Sequence, residues 1–371
     1  IYLQYGLYAR PSFPMALMTL GSVYESTKRY SQAIDSYARI PSTSPLYFNG
    51  EVRRAINLNE LKKVKEAEAA LEGLVKRFVP DAAAVSAGQD DDRGLRFAQS
   101  RLAKLGHYKG VVDGIAGPAT TRAIRAFQVQ QDLTADGILG TETLDAIEFA
   151  TLSEDELFRQ QRALRVLLTL GTVQRGHENF SKAAEVYSRA IALIKRPTKR
   201  HWRYYYSRGV SYERMNEWPK AEADLKKALE LNPDQPLILN YLGYSWVDQN
   251  VNLKVALDLI KKAVKVKPDD GYFVDSLGWA YYRQGNYPEA AKYLERAAEL
   301  RPDDPTINDH LGDAYWHVGR ILEARYQWRQ SLTLEPEEKE AVKIRRKLER
   351  GLGDEEKARV AGQSGDNSTP E

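Results

Sequence analysis

The sequence predicts an all-α protein, a solenoid of helical hairpins interrupted by a small three-helix insert. Three observations predict it. A glycine recurs inside helical patterns, and the steps from Gly209 to Gly243, Gly278 and Gly312 are 34, 35 and 34 residues. A short phrase occurs twice, Asp113-Gly-Ile-Ala-Gly-Pro-Ala-Thr120 and Asp136-Gly-Ile-Leu-Gly-Thr-Glu-Thr143, at an offset of 23 residues. Ser153-Glu-Asp-Glu156 has the spacing of a capping box and restarts a helix after the insert.

The hairpins come first. One unit reads Leu277-Gly-Trp-Ala-Tyr281, Ala290, Tyr293-Leu294, Ala297, Pro302, and the next reads Leu311-Gly-Asp-Ala-Tyr315, Ala324, Trp328, Pro336. Small residues sit where the two helices of a pair cross, so the backbones approach closely, and proline ends each second helix. This pattern at this period resembles the tetratricopeptide (TPR) repeat. The resemblance implies a right-handed superhelical solenoid whose neighbouring units bury each other's apolar faces. Repeats are assigned to 14–47, 48–81, 164–201, 202–235, 236–270, 271–304 and 305–338, with Gly21 and Gly171 in the glycine place of the first and third. The second is degenerate, with Ala55 in that place, and the third is longer by four residues through the turn Arg196-Pro-Thr-Lys-Arg200. Residues 1–10 read as the second helix of an earlier repeat that lacks its first helix, so the N-terminal array is taken as 1–81 with a truncated start. Residues 337–352 read as a solvating end helix, with 339–352 as its closing segment, and 353–371 as a disordered tail.

The insert occupies 92–150, after a small polar linker at 82–91, and the repeats resume over 153–338. Three helices are expected near 93–105, 118–131 and 141–149, with Leu102, Leu105, Ile124, Phe127, Leu133, Ile138, Leu144 and Ile147 as the core. In each Asp-Gly-x-x-Gly loop the glycines are free to take positive φ before a helix. The segment resembles the three-helix peptidoglycan-binding domain. The resemblance rests on Gln99-x-x-Leu102, Leu105-Gly-x-Tyr108, the two Asp-Gly loops, Phe127-Gln128 and Thr143-Leu144, and departs at Ala116, where an aromatic is usual. It implies peptidoglycan as a partner, with Tyr108, Asp113, Gly114, Thr120, Gln128, Asp136, Gly137 and Thr143 as candidate contacts. A protein-docking role for the insert is the alternative.

In tetratricopeptide folds the first helix of each unit lines the concave face. Carried onto this sequence, those places hold Tyr206, Glu213 and Arg214, then Asn240, Tyr244 and Asp248, then Tyr272, Asp275, Trp279, Tyr282 and Arg283, and last Asp309, Asp313, Trp316 and His317. Lysine is missing from the fifth and ninth positions, so the carboxylate clamp of chaperone-binding members is not expected. An aromatic and acidic groove suits an apolar or basic peptide or helix of another protein. The later repeats also resemble bacterial envelope tetratricopeptide proteins of alphaproteobacterial type, through Leu239-Asn-Tyr-Leu-Gly-Tyr-Ser-Trp246, Asp275-Ser-Leu-Gly-Trp-Ala-Tyr-Tyr282 and Asn308-Asp-His-Leu-Gly-Asp313. That group includes exported lipoprotein adaptors. The implied location is the periplasm, or the outer membrane through a segment preceding Ile1, of a Gram-negative bacterium.

Bulk properties exclude several classes. Of 371 residues, 43% are hydrophobic and 28% charged, as in globular chains, and no apolar run approaches the ~20 residues of a bilayer span. The absence of cysteine rules out disulfides, thiolate metal sites and a cysteine nucleophile. The net charge of +3 is too balanced to argue for nucleic acid. The basic aromatic run from Lys195 to Arg208 is read instead as a repeat helix carrying Trp202, Tyr205 and Tyr206, so no nucleic-acid partner is expected. The five histidines show no metal-binding spacing, and no nucleophile elbow or phosphate loop is present, so neither an enzyme, a metal nor a cofactor is expected. His310 and His317, with Asp309 and Asp313 nearby, are read as a polar groove wall. Two rivals remain: the non-catalytic part of a longer cell-wall hydrolase, and a cytosolic assembly scaffold.

Overall fold

The computed structural model describes residues 7, 8, 10–79 and 91–353. The expected helix over 1–10 lies mostly outside them, as do the linker up to 90 and the tail beyond 353. Among the described residues there are 18 α-helices, one 3₁₀ turn and no strand. The chain divides into two compact units, Ile1–Asp224 and Leu225–Glu371.

The first unit opens with two hairpins, α1 (Pro14–Ser26) with α2 (Tyr30–Ala38) and α3 (Tyr47–Glu60) with α4 (Val64–Phe78). The insert follows as α5 (Asp91–Lys104), α6 (Pro118–Gln130) and α7 (Thr141–Ala150). The repeats resume with α8 (Glu154–Gly176) and α9 (Phe180–Ala192), and then α10 (Trp202–Arg214). Glycine at the helix crossing is a steric requirement. A Cβ at Gly171 would stand 2.5 Å from Tyr187 Cε1. In the degenerate second repeat Ala55 fills that place and is fully buried.

The hairpins on either side of the insert stack directly on each other. Phe48, Val52, Leu71 and Leu74 of α3 and α4 share one core with Leu164, Leu167 and Leu170 of α8. Arg165 Nη1 donates to Asn49 Oδ1 at 2.6 Å, and His177 Nε2 lies 2.8 Å from Asn59 Oδ1. The three-helix segment is thus looped out of a continuous stack. Its exit is the capping box read from the sequence: Ser153 N–H donates to Glu156 Oε2 at 2.8 Å, and Glu156 N–H to Ser153 Oγ at 3.2 Å.

The insert has its own core of Ala98, Leu102, Tyr108, Ala123, Ile124, Phe127, Ala146 and Ile147, flanked by Leu105, Leu133, Leu139 and Leu144. Ile138 is not part of it. Its side chain is 65% exposed, and Leu139 turns inward in its place. Only the first glycine of each loop takes positive φ, Gly114 at 80° and Gly137 at 76°. The second ones, Gly117 and Gly140, are extended N-caps of α6 and α7.

Helix α11 (Trp218–Leu231) follows. The second unit then holds the hairpins α12 (Pro236–Asp248) with α13 (Leu253–Val266), α14 (Gly271–Arg283) with α15 (Tyr287–Leu300), and α16 (Pro305–His317) with α17 (Ile321–Thr333). Helix α18 (Glu338–Arg350) closes it. It does more than solvate the end: its Ala341 and Ile344 are buried, as is Leu352 just past it, and Ile344 and Leu352 join the core around Trp328.

Candidate functional site

The two loops of the insert are built by one hydrogen-bond plan used twice. In the first, the Gln99 amide nitrogen lies 3.0 Å from Asp113 Oδ1, 3.1 Å from both Ile115 O and Thr120 Oγ1, and 3.3 Å from Tyr108 Oη. Gln99 Oε1 accepts the Gly114 N–H at 2.8 Å, and Asp113 Oδ1 accepts the Ile115 N–H at 2.9 Å. In the second, the Gln128 amide nitrogen lies 2.8 Å from Asp136 Oδ1 and 3.0 Å from both Ile138 O and Thr143 Oγ1. Gln128 Oε1 accepts the Gly137 N–H, and Asp136 Oδ1 the Ile138 N–H, each at 2.8 Å. Arg96 and Arg125 complete the plan by donating to the carbonyls of Asp113 and Asp136, both at 2.9 Å. Both carboxylates are held below the usual range, first by the backbone N–H of Ile115 or Ile138 and then by the glutamine amide.

This geometry changes the role of several candidates. Tyr108, Thr120, Gln128 and Thr143 are buried, with their polar atoms turned onto the loops. Gly137 is also buried. They shape the loops and are not surface contacts, because a buried polar group must find its partner inside the domain. Asp113 and Asp136 remain exposed, with Gly114 half-exposed. The loops also present Ile115 and Ile138, 66% and 65% exposed, with Val111 at 77% and Val129 at 63% nearby. The sequence reading missed this apolar pair. Its signal was available: both isoleucines hold the same place in the repeated phrase, and only one side of so tight a loop faces the core.

The helix faces of the second unit divide in the same way. Asp275, Tyr282 and Asp313 are buried, whereas Tyr272 is 47% exposed and Asn240, Tyr244, Trp279, Asp309 and Trp316 are half-buried. Trp279 stacks between Tyr282 and His310, with ring centroids at 4.5 and 4.0 Å. His310 Nδ1 lies 2.9 Å from Asp275 Oδ1. Burial pulls the proton affinity of His310 down, but Asp275, Asp309 and Asp313 raise it above the ordinary value. Arg301 covers the Tyr272 ring at 4.7 Å.

The acidic groove wall is already occupied. Lys347 of α18 reaches Asp309 Oδ1 and Oδ2 at 2.9 Å and Asp313 Oδ2 at 2.7 Å, and Trp328 Nε1 donates to Asp313 Oδ1 at 2.8 Å. Asp309 and Asp313 are therefore already engaged by an internal cation rather than left for a basic partner. His317 Nδ1 lies 3.1 Å from the Asp313 carbonyl, and among the described residues no three metal-ligating side chains gather. In the first unit Tyr206 is half-buried and lies 5.7 Å from Trp202, edge to face. Trp202, Tyr204 and Tyr205 of the basic aromatic run are buried, so these rings offer no stacking platform to a single strand.

Comparison with known proteins agrees with these two parts. Residues 92–147 match the family model of a peptidoglycan binding domain, and residues 202–235 and 276–338 match tetratricopeptide repeat models. The chain thus combines tetratricopeptide repeats with a domain of peptidoglycan-binding type. It is similar to a TPR repeat-containing protein of Pseudomonas aeruginosa, 39% identical over 89 residues, covering 24% of this chain and 15% of that protein. It is also similar to the N-acetylmuramoyl-L-alanine amidase CwlM of Mycobacterium tuberculosis, 47% identical over 51 residues, covering 14% of this chain and 13% of the amidase. The chain therefore spans about one seventh of the length of these relatives. Among solved structures it is similar to that of Pseudomonas aeruginosa pilF, with a TM-score of 0.44 and 16% identity over 55% of this chain and 89% of that one. It is also similar to YrrB, a TPR protein with an unusual peptide-binding site, with a TM-score of 0.38 and 18% identity over 49% of this chain and 91% of that one.

Proposed function

We propose that this protein is a non-enzymatic scaffold of a bacterial envelope, anchored to peptidoglycan by its insert and holding a partner protein on the first-helix faces of its repeats. The observation that carries the reading is the insert itself: a peptidoglycan-binding-type domain looped out of a stack that stays intact beneath it. The twin loops offer a ligand two isoleucines and two exposed carboxylates on equivalent frames. In the second unit, Asn240, Tyr244, Tyr272 and Trp279 keep part of their surface exposed, and the rings of the last three would supply a partner with rigid contact area at small entropic cost. The scaffold works in the periplasm or against the outer membrane of a Gram-negative cell.

Co-sedimentation with insoluble sacculi tests the anchor, comparing the whole chain with one lacking residues 90–149. Pelleting of the first and not the second is the expected result; equal pelleting, or none by either, refutes it. A second reading, the binding part of a longer wall hydrolase, is favoured by the similarity to an amidase. Release of soluble muropeptides from sacculi by the full gene product would select it.

A further inference from the structure

The turn after α9 clamps the insert to the repeats. Arg196 Nη1 donates to Gln131 Oε1 at 2.6 Å and its Nη2 to Gln131 O at 2.9 Å. Lys195 Nζ lies 3.6 Å from Glu148 and 4.0 Å from Asp145 of α7. Between α7, α8 and this turn lies a cleft of about 500 Å³. Its lining is largely apolar, with Phe149 of the insert, Leu157 and Leu164 of α8, and Ile194, beside the amides of Gln160 and Gln161. Its rim carries Lys195, Arg196, Lys199, Arg200 and His201, and no carboxylate lines it. Burial and the neighbouring Arg200 lower the proton affinity of His201, so the rim's charge rests on its lysines and arginines.

Two of those cations are uncommitted. Lys195 and Arg196 hold the insert, whereas Lys199 and Arg200 are exposed in the 3₁₀ turn and have no ion pair among the described residues. The volume falls within the roughly 300–1,000 Å³ of small-ligand sites, too small for a docked helix. One sign of charge around a largely apolar lining selects a compact anion with short apolar groups. A short peptide bearing free carboxylates and alanine-sized side chains satisfies each condition.

We propose that this cleft binds the carboxylate-bearing stem peptide of peptidoglycan, with Lys199 and Arg200 on its carboxylates and Phe149 and Leu164 beneath its methyl groups. The assignment of the ligand rests on the wall-anchoring reading, while the cleft lies apart from the twin loops. Contact made by insert and repeats together would tie wall engagement to the position of the insert on the stack.

Titration calorimetry of the full chain tests it, with three probes: the synthetic stem tripeptide L-alanyl-γ-D-glutamyl-diaminopimelate, its carboxyl-amidated form, and an all-L acidic tripeptide with ordinary α linkages. The stem tripeptide is expected to bind at one site, more weakly as salt rises, and the amidated form not to bind. Lys199→Ala with Arg200→Ala is expected to weaken binding roughly tenfold or more. Both side chains are exposed, so the fold persists in that variant, and the charge-keeping Lys199→Arg should hold most of the affinity. No heat with the stem tripeptide, or equal affinity in the double variant, overturns the cleft. Equal binding of the all-L peptide overturns the wall ligand in favour of a protein tail. Sacculus pelleting without tripeptide binding refutes the cleft and leaves the anchor standing; tripeptide binding without pelleting does the reverse.

Discussion

Gln128 repeats the bonding of Gln99. Each side-chain oxygen accepts the N–H of a glycine at positive φ, and each amide nitrogen meets an aspartate oxygen and a threonine hydroxyl. A buried amide with this many partners has no substitute, since an apolar replacement removes the partner of the buried Gly137 N–H and Thr143 hydroxyl. Gln128→Leu should destabilise the insert by roughly 1–3 kcal/mol. Hydrogen exchange of the α6 and α7 amides reads this out, and unchanged protection would mean the network contributes nothing.

Phe127 is 1% exposed at the centre of the insert, edge-on to His107. Phe127→Ala should cost ~3–5 kcal/mol and melt the insert first. Because the repeats keep their own core across the junction, circular dichroism should retain most of the helical signal. Loss of the whole signal in one transition would show that the stack depends on the insert.

The loop aspartates set an acid limit. Their pKa values lie lower in the fold than in the unfolded chain, where carboxylates titrate near ~3.9. The fold binds fewer protons, so the contribution is complete above that value and fades as the pH falls through the folded values. Carbon-detected NMR titration should find both residues titrating below the ordinary range; ordinary midpoints would contradict the hydrogen bonds.

Lys347 links α18 to two carboxylates. Lys347→Ala should destabilise the second unit by roughly 3–5 kcal/mol, because the buried Asp313 and the half-buried Asp309 lose their cation. Asp309→Asn in the same chain should recover part of that loss. Burial and the nearby Asp313 push Asp309 up to about 6, above its unfolded value. For this group the fold binds more protons between ~4 and ~6, so its contribution to stability rises as the pH falls through that window. Thermal melts of the unaltered chain and of Asp309→Asn alone across that window check the sign.

Gly312 marks a helix crossing: a Cβ there would stand 2.5 Å from Trp328 Cδ1 and Nε1. Trp328 is fully buried and bonded to Asp313, so it has little room to yield. Gly312→Ala should therefore cost roughly 1–3 kcal/mol through overpacking. An unchanged melting temperature would mean the pair spreads freely.

The glycine period made the hairpins legible because close crossing forces a small residue at a fixed step. The doubled Asp-Gly phrase made the loops legible because tight turns dictate their own residues. Facing was harder to read. Ile138 and Leu139 are adjacent and equally apolar, and only the loop geometry decides that Leu139 turns inward. The role of Gln128 was misread because a buried amide and a surface amide look the same in one sequence. Lys347 was hidden for the opposite reason. It lies in a highly charged helix, and its partners are more than thirty residues earlier. Stacking across the insert depends on contacts such as Arg165 with Asn49, which no local pattern encodes.

The looped-out insert has a mechanical consequence. The chain leaves the stack after α4 and rejoins it at α8, yet α4 and α8 stay pressed together through Leu71, Leu74 and Leu167. A pull on the insert is borne first by the Arg196–Gln131 clamp. Breaking that clamp leaves the α4–α8 core untouched, so load on the insert need not reach the hairpins on which it sits.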